Sequence, residues 1–262
     1  MKIAALQMQA VAGGQEENLS RIGKAARKAA DAGANLLIAP ELALPGYGAG
    51  EEMQKLSAGV DGEAVARLAH ISVEAGIAII AGFAERAGSL VYNSAVFVNG
   101  QTRPVVYRKS HLYGDYERGC FVAEEPSTCL VEHEGLKIGV LICYDVEFPE
   151  NVRRLAQAGA ELIAVPTALP TSDHAGFIAR QMIPVRAFEN QVFVAYVNHC
   201  GADRLFSYAG RSTIAAPDGS LLAGAEAEGE ALLVADIRPG DFAVSRAANP
   251  YLSDLRLPKA RG

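Results

Sequence analysis

A short segment of this chain occurs twice. Ala32-Gly33-Ala34-Asn35-Leu36-Leu37-Ile38-Ala39-Pro40 aligns without a gap to Ala158-Gly159-Ala160-Glu161-Leu162-Ile163-Ala164-Val165-Pro166. In both copies a glycine follows a stretch of helical composition, and a short aliphatic run then ends at a proline. That pattern is a helix stop leading into a buried strand. The strand upstream is repeated too, since Lys2-Ile3-Ala4-Ala5-Leu6 resembles Lys137-Ile138-Gly139-Val140-Leu141. Two β-α-β halves of this kind bury their apolar strand faces best against each other. The expectation is therefore an α/β fold of two sheets related by a pseudo-two-fold, packed face to face with helices outside. It would form one domain over residues 1–262, with no linker between the halves.

Read in order, residues 2–8 form a first strand. Leu19, Ile22, Ala26 and Ala29 recur at helical spacing within 16–32, and Gly33 stops that helix. A second strand covers 35–39, a helix opens at Asp61-Gly62-Glu63 and ends at Gly76, and 77–83 is a third strand. Residues 90–98 and 103–107 read as strands paired around Asn99-Gly100, a hairpin signal. The polar and aromatic segment 109–127 has no period, and a loop of that length inside a domain points to function. In the second half, 177–189 reads as a helix in which Pro184 demands a kink or a late start. Strand 191–198 and a 207–222 segment with an Asp218-Gly219 turn follow. Beyond residue 238 the period is lost and Pro239, Pro250 and Pro258 appear, so 238–262 is expected to be an extended C-terminal tail.

Composition narrows the function. Half of the 262 residues are apolar, enough for a sizeable core without disulfides or metals. A formal charge of −6 argues against nucleic acid or an anionic membrane as partner. No apolar run reaches the roughly 18 residues of a membrane span, and the apolar N-terminus is too short for a signal peptide. A cytoplasmic protein is expected. Cys120, Cys129, Cys143 and Cys200 form no CxxC pair, which fits a reducing compartment and argues against a zinc ribbon. The five histidines show no metal-binding spacing, so no metal or cofactor is expected.

Three stretches carry chemistry. The strand from Leu136 to Ile142 stops at Cys143, and Pro149 then opens a helix that runs to Ala158. A thiol at such a junction lies near the positive end of a helix dipole, which favours thiolate and nucleophilic attack. A buried structural cysteine is the other reading of that residue alone. Glu41 ends a buried strand, where desolvation would raise its pKa toward that of a general base. A capping or salt-bridged glutamate is the alternative there. Lys109, in Tyr107-Arg108-Lys109-Ser110-His111, could stabilise a developing oxyanion or be part of a solvated basic pair. An acid, a cation and a thiol together fit acyl transfer through a thioester.

Pro40-Glu41-Leu42, Arg108-Lys109-Ser110-His111-Leu112 and Cys143-Tyr144-Asp145-Val146-Glu147-Phe148-Pro149-Glu150 resemble, in order and spacing, the three signature segments of the carbon–nitrogen hydrolase (nitrilase) superfamily. The resemblance covers nearly the whole chain. It implies a nitrilase-type four-layer α-β-β-α sandwich and a Glu41–Lys109–Cys143 triad. It also implies a second glutamate, Glu117, that orients Lys109 and the substrate amide, with Asp115 as its neighbouring competitor. In the implied reaction Glu41 takes the Cys143 proton and the sulfur attacks an amide carbonyl. Lys109 and the main-chain N–H of Tyr144 hold the oxyanion. Glu41 then protonates ammonia and activates water.

Cys143-Tyr144-Asp145 differs from the Cys-Trp-Glu usual in nitrilases, and the chain has no tryptophan, which points to amide rather than nitrile. N-carbamoyl-amine hydrolysis, nitrile hydrolysis and acyl transfer from the thioester to an amine are the alternatives. A binding module that has lost catalysis is disfavoured because all three triad residue types are present. Val165-Pro166-Thr167-Ala168, Arg186-Ala187-Phe188-Glu189-Asn190-Gln191 and Asn198-His199-Cys200-Gly201 resemble the short aliphatic amidases, 5-aminopentanamidases and R-stereoselective amidases among them. The loops at Tyr47-Gly48-Ala49-Gly50 and Thr171-Ser172-Asp173-His174 depart from that pattern. Glu147 stands where many relatives carry arginine. An anion there favours a cationic small-molecule amide, unless Glu147 turns into a salt bridge with Arg153 or Arg154. Tyr144, Glu147, Thr167, Asn198 and Tyr47 are the candidate substrate-binding residues, with bonding of loop backbone as the other reading of Thr167 and Asn198. Arg186 and Glu189 read as a structural i,i+3 pair. By resemblance, a homodimer or higher homo-oligomer is expected.

Overall fold

The computed structural model describes residues 1–256. Its strands are β1 (Lys2–Gln7), β2 (Leu36–Ile38), β3 (Ala78–Ala87), β4 (Leu90–Val98), β5 (Val105–Arg108), β6 (Leu130–His133), β7 (Leu136–Val140), β8 (Leu162–Thr167), β9 (Phe193–Asn198), β10 (Thr213–Ala215), β11 (Leu221–Gly224) and β12 (Ala231–Asp236). Its helices are α1 (Gln15–Asp31), α2 (Met53–Leu56), α3 (Glu63–Ala75), α4 (Gly114–Cys120), α5 (Pro149–Gln157), α6 (Ala175–Phe177), α7 (Ile183–Asn190), α8 (Ala243–Ala248) and α9 (Tyr251–Asp254). None of the described helices is long and apolar enough to cross a membrane.

The strands form two mixed six-stranded sheets, ordered β12-β1-β2-β3-β4-β5 and β11-β10-β9-β8-β7-β6. The pairing repeats the sequence. Ile3 lies opposite Leu36 in the first sheet, and Ile138 opposite Leu162 in the second. Each parallel core strand trio is flanked by antiparallel neighbours, and the halves exchange edges: β6 joins the second sheet, β12 the first. The sandwich of two pseudo-symmetric halves expected from the repeat is the fold observed.

Side chains along the central strands alternate between two cores, as the period of two demands. Ile3, Ala5, Leu36, Ile38 and Ile80 pack toward the second sheet, in one cluster with Ile138, Val140, Ala164 and Ala195. Ala4, Leu6, Leu37 and Ile79 face the other way, against Leu19 and Ile22 of α1 and Val65 and Leu68 of α3. Both of these helices match their sequence signals, with Gly76 closing α3 in the left-handed conformation.

Three expectations need correction. Segment 109–127 is not all loop, because α4 lies within it and buries Glu117. The helix at 177–189 is interrupted by a π turn over Ile178–Met182, just ahead of Pro184. A proline lacks the N–H and crowds the carbonyl four residues back, and the wider turn relieves both. The tail is not simply extended: a 3₁₀ turn at Pro239–Phe242 and helices α8 and α9 occupy it as far as Asp254. Pro258 lies outside the described residues.

The strand ends are tightly apposed where the chemistry sits. Gly82 in β3 packs against the main chain after β2, and a Cβ there would lie 2.0 Å from Leu42 N and 2.6 Å from Glu41 Cα. Neither backbone has room to yield. We predict that Gly82→Ala costs about 1–3 kcal/mol or more by overpacking and displaces Glu41. Thermal unfolding of the variant would show the loss, and an unchanged melting temperature would contradict this packing.

Candidate active site

Glu41, Lys109, Glu117 and Cys143 come together at the strand ends, from four different parts of the chain. Glu41 follows β2, Lys109 follows β5, Glu117 is on α4, and Cys143 opens a 3₁₀ turn, Cys143–Glu147, shortly after β7 ends at Val140. Glu41, Lys109 and Glu117 are completely buried, and Cys143 is 6% exposed. Lys109 Nζ donates to Glu41 Oε1 at 2.6 Å and to Glu117 Oε1 at 2.7 Å. Asn93 Nδ2 donates to the same Glu41 oxygen at 2.7 Å. Glu41 Oε2, also buried, has no hydrogen-bond partner among the described residues. One carboxylate oxygen is thus pinned while the other stays free to accept a proton.

Electrostatics follow from this burial. Desolvation pushes Glu41 up to about 7, with Lys109 pulling it down and Glu117 raising it further. Burial alone would lower the Lys109 ammonium, but Glu117 and Glu41 outweigh it and hold it well above the ordinary lysine range. The Cys143 thiol is pushed well above its usual value by burial and by Glu41, against the opposing pull of Lys109. This overturns the expected thiolate. The helix α5 begins only at Pro149, past the 3₁₀ turn, and desolvation beside two carboxylates outweighs its dipole. At neutral pH Cys143 is a thiol, and any attack requires a base to take its proton.

The nucleophile turn is strained and braced. Cys143 has a φ of 44°, a left-handed conformation costing roughly 1–2 kcal/mol for a non-glycine residue. Arg186 on α7 holds the far end of the turn, donating to the carbonyls of Val146 at 3.0 Å and Glu147 at 2.7 Å. Its expected pairing with Glu189 is present as well, at 3.1 Å. Tyr144 N–H lies in the opening turn of the 3₁₀ segment, where donors have no acceptor behind them in the helix. On the other side, His199 Nε2 contacts the main-chain oxygen of Glu41 at 2.7 Å.

Of the other candidates, Tyr144 and Glu147 line a cavity of about 490 Å³ that opens onto Cys143. Its remaining wall is mainly apolar, including Leu169, Pro170, Phe177, Ile178 and Met182, with His174 and Ser172 at its edge. Glu147 makes no ion pair with Arg153 or Arg154 among the described residues; Arg154 instead bonds Asn151 and the Ser127 carbonyl. Burial raises the Glu147 carboxyl, with Lys109 and Arg186 opposing. Glu117 rather than Asp115 meets Lys109, since Asp115 is exposed and pairs with Arg118.

The remaining three candidates do not line that cavity. Tyr47 turns its hydroxyl onto Glu117 Oε1 at 2.8 Å, a buried carboxylate that needs the donor. Thr167 Oγ1 donates to the Val165 carbonyl at 2.9 Å. Asn198 accepts from Leu169 N at 2.8 Å and donates to the Gly210 carbonyl at 2.7 Å. Tyr47 thus satisfies a buried carboxylate on α4, and Thr167 and Asn198 satisfy buried main-chain groups. Sequence reasoning missed Asn93, His199 and Asp145. Asp145 and His199 lie within segments that resemble the family, next to Tyr144 and Asn198, while Asn93 sits beside Ser94 in a strand with no signal to single it out. Among the described residues, no group of three or more His, Cys, Asp or Glu side chains is arranged to hold a metal ion.

A fold of two facing mixed sheets with Glu41, Lys109 and Cys143 at their ends defines a carbon–nitrogen hydrolase. The family model of that description matches residues 2–247, and the chain belongs to that family. It is 46% identical over 244 residues to the "Hydrolase in pqqF 5'region" of Pseudomonas protegens, covering 91% of this chain and 83% of that protein. It is 34% identical over 259 residues to an (R)-stereoselective amidase of Pseudomonas sp., covering 98% and 92% of the two chains. Among solved structures, the NitN amidase of Nesterenkonia sp. AN1 superposes with a TM-score of 0.87 at 33% identity, over 98% of this chain and 96% of that one. A variant of that Nesterenkonia amidase carries acrylamide added to its active-site cysteine, and another binds butyramide.

Proposed function

We propose that the chain is an amidohydrolase that cleaves a small aliphatic amide to carboxylic acid and ammonia through a thioester on Cys143. The observation that carries this reading is the buried, unpartnered Oε2 of Glu41 beside a thiol that cannot ionise unaided. Glu41 takes the proton from Cys143 as the sulfur bonds to the amide carbon, and the carbonyl π pair moves onto oxygen. Lys109 Nζ, with one N–H left after bonding Glu41 and Glu117, and the Tyr144 N–H stabilise that oxyanion. As the oxyanion collapses, the C–N bond breaks and Glu41 gives its proton to the departing nitrogen, releasing ammonia. Water then loses a proton to Glu41 and attacks the thioester, and the sulfur leaves and takes the proton back. Glu117 keeps Lys109 oriented throughout, with Tyr47 holding Glu117.

The apolar wall of the cavity suits an aliphatic acyl chain. Glu147, its one acidic lining residue, supports an ω-amino amide over a neutral or acidic one. The amidases among the relatives support an amide substrate. A relative named a nitrilase, from Pyrococcus abyssi, is 33% identical over 240 residues, and nitrile or N-carbamoyl amine is the second reading of the same site. The nucleophilic thiol must stay reduced to react, and all four cysteines are free, which supports a cytoplasmic setting. Phe177 and Val185, 52% and 50% exposed on neighbouring turns, support burial of that face in a homodimer.

Ammonia release from 5-aminopentanamide, pentanamide, pentanenitrile and an N-carbamoyl amine tests the reaction class. Release is expected from the amides alone and should vanish in Cys143→Ala without loss of fold; an active, folded Cys143→Ala variant would sink the proposal. The base must be ionised to act, and the Glu41 carboxyl is raised to about 7. The ratio kcat/KM should therefore climb about tenfold per pH unit below that value and level above it. A limb near pH 4.5 would show that burial does not raise the Glu41 carboxyl, and Glu41→Gln, expected to abolish turnover with the fold intact, tests its role as the base. Finally, Glu147→Gln should raise KM for 5-aminopentanamide roughly tenfold, about 1.4 kcal/mol, and leave pentanamide within about threefold. Equal effects on both substrates would remove Glu147 from selectivity.

A further inference from the structure

We propose that Asp145 is a positioning residue of this hydrolase: its carboxylate sets the Lys109 ammonium in place relative to the Cys143 sulfur by gripping both flanks of Lys109 from inside the nucleophile turn. This role depends on Glu41, Lys109 and Cys143 acting as proposed above. The carboxylate is completely buried. Its Oδ1 accepts from Ser110 Oγ, His111 N and His111 Nδ1, each at 2.9 Å. Its Oδ2 accepts from Tyr107 OH at 3.0 Å and Ile142 N at 3.3 Å. Tyr107 precedes Lys109 by two residues, and Ser110 and His111 follow it directly. Ile142 is the residue before the nucleophile.

The grip matters because Lys109 and Cys143 belong to different sheets. Lys109 N donates to Asn93 O at 2.8 Å, which fixes its main chain to β4 of the first sheet. Cys143 follows β7 of the second. Between the sheets lies apolar packing, which is strong but non-directional and tolerates small slides. Bonds to a buried carboxylate are directional and about twice as strong as neutral ones. Asp145 therefore adds to the non-directional packing of two layers a defined distance between a cation and a sulfur. Its own turn is held from behind, since Asn151 Nδ2 donates to Asp145 O at 2.9 Å and the His111 ring stacks on Phe148 at 4.0 Å.

The cluster is not a second nucleophilic site. Ser110 and His111 both meet the same oxygen of Asp145, and Ser110 meets the ring through Nδ1 as well. A serine relay needs the imidazole between serine and acid, with one nitrogen for each.

The test uses Asp145→Asn, Tyr107→Phe and their combination in the full chain. Asp145→Asn keeps the shape but replaces one acceptor with a donor, so one side of the grip opens. Misplacement on the ångström scale predicts a fall in kcat of roughly 10- to 100-fold, with KM on the neutral amide within about threefold. The acid limb of kcat/KM should move above its wild-type position, because a displaced Lys109 lowers Glu41 less. Tyr107→Phe should show the same pattern at smaller size, and the double variant should lose less than the product of the two. The proposal is overturned if a folded Asp145→Asn keeps the wild-type kcat and limb, if its loss only tracks the fraction unfolded, or if the two effects multiply. Where Asp145→Asn does not fold, Tyr107→Phe with Ser110→Ala decides by the same criteria. Alkylation by iodoacetamide, followed against pH on the peptide that contains Cys143 because Cys120 and Cys129 are also free, separates this proposal from the reaction itself. A wild-type chain that alkylates but hydrolyses no amide refutes the amidase reading, while the shift of the alkylation limb in Asp145→Asn still decides the positioning role.

Discussion

The buried ammonium of Lys109, held between two carboxylates, is the interaction on which the site depends. Removing three charged groups from water is expensive, and their mutual attraction compensates only if geometry and further hydrogen bonds are good. Here Lys109 bonds both acids, Asn93 completes one Glu41 oxygen, and Tyr47 and the Tyr113 N–H complete Glu117. Loss of Lys109 would leave two buried carboxylates unpaired, a defect of about 3–5 kcal/mol. The fold is correspondingly rigid at this place. Gly82 lies against the Glu41 main chain, and His199 reaches its carbonyl from the opposite sheet. The trio carries one more acid than base, so it opposes a resting thiolate next to it. Burial above all, with that surplus adding to it, raises Glu41 toward neutrality and pushes the Cys143 thiol up.

The duplication is broken where the chemistry is. Extending the repeat, Met8 in the first half corresponds to Cys143 in the second, and Thr167 in the second corresponds to Glu41 in the first. Each half thus supplies one member of the acid–thiol pair from a different strand end. At the other pair of ends, Met8 is packed into the core and Thr167 is bonded to its own strand.

Much of this was legible in the sequence because it rests on periodicity and punctuation. Aliphatic runs closed by proline marked β2 and β8, the ungapped repeat foretold their equivalent register, and glycines marked the ends of α1 and α3. Glu41, Lys109 and Cys143 stood out as reactive residue types at strand ends. What failed was direction and environment. Thr167 and Asn198 lie at strand ends as expected and Tyr47 in its loop, but whether a side chain meets the cavity or another buried polar group depends on tertiary neighbours that no local pattern encodes. Helix α4 is too short to show a period, and its buried face is a charged Glu117 rather than an apolar stripe. The ionisation of Cys143 was misjudged for a related reason. A helix dipole can be read locally, whereas desolvation and two carboxylates from distant segments cannot.

That last point changes how the site should work. A resting thiolate would be reactive toward any electrophile or oxidant that reached the cavity. A resting thiol, buried beside a base with one free oxygen, reacts only when proton transfer and carbon attack are coupled. In the proposed reaction, coupling requires the amide carbonyl to sit where Lys109 and the Tyr144 N–H can take its charge, so reactivity would be conferred by a correctly placed substrate. The same arrangement explains why distance control matters more here than thiol acidity. With Glu41 carrying every proton of the proposed reaction, a small displacement of Lys109 alters the basicity of Glu41 and the stabilisation of the oxyanion together. Groups that carry no reacting atom, such as Arg186 behind the nucleophile turn and the buried carboxylate of Asp145, then bear on the rate through geometry alone.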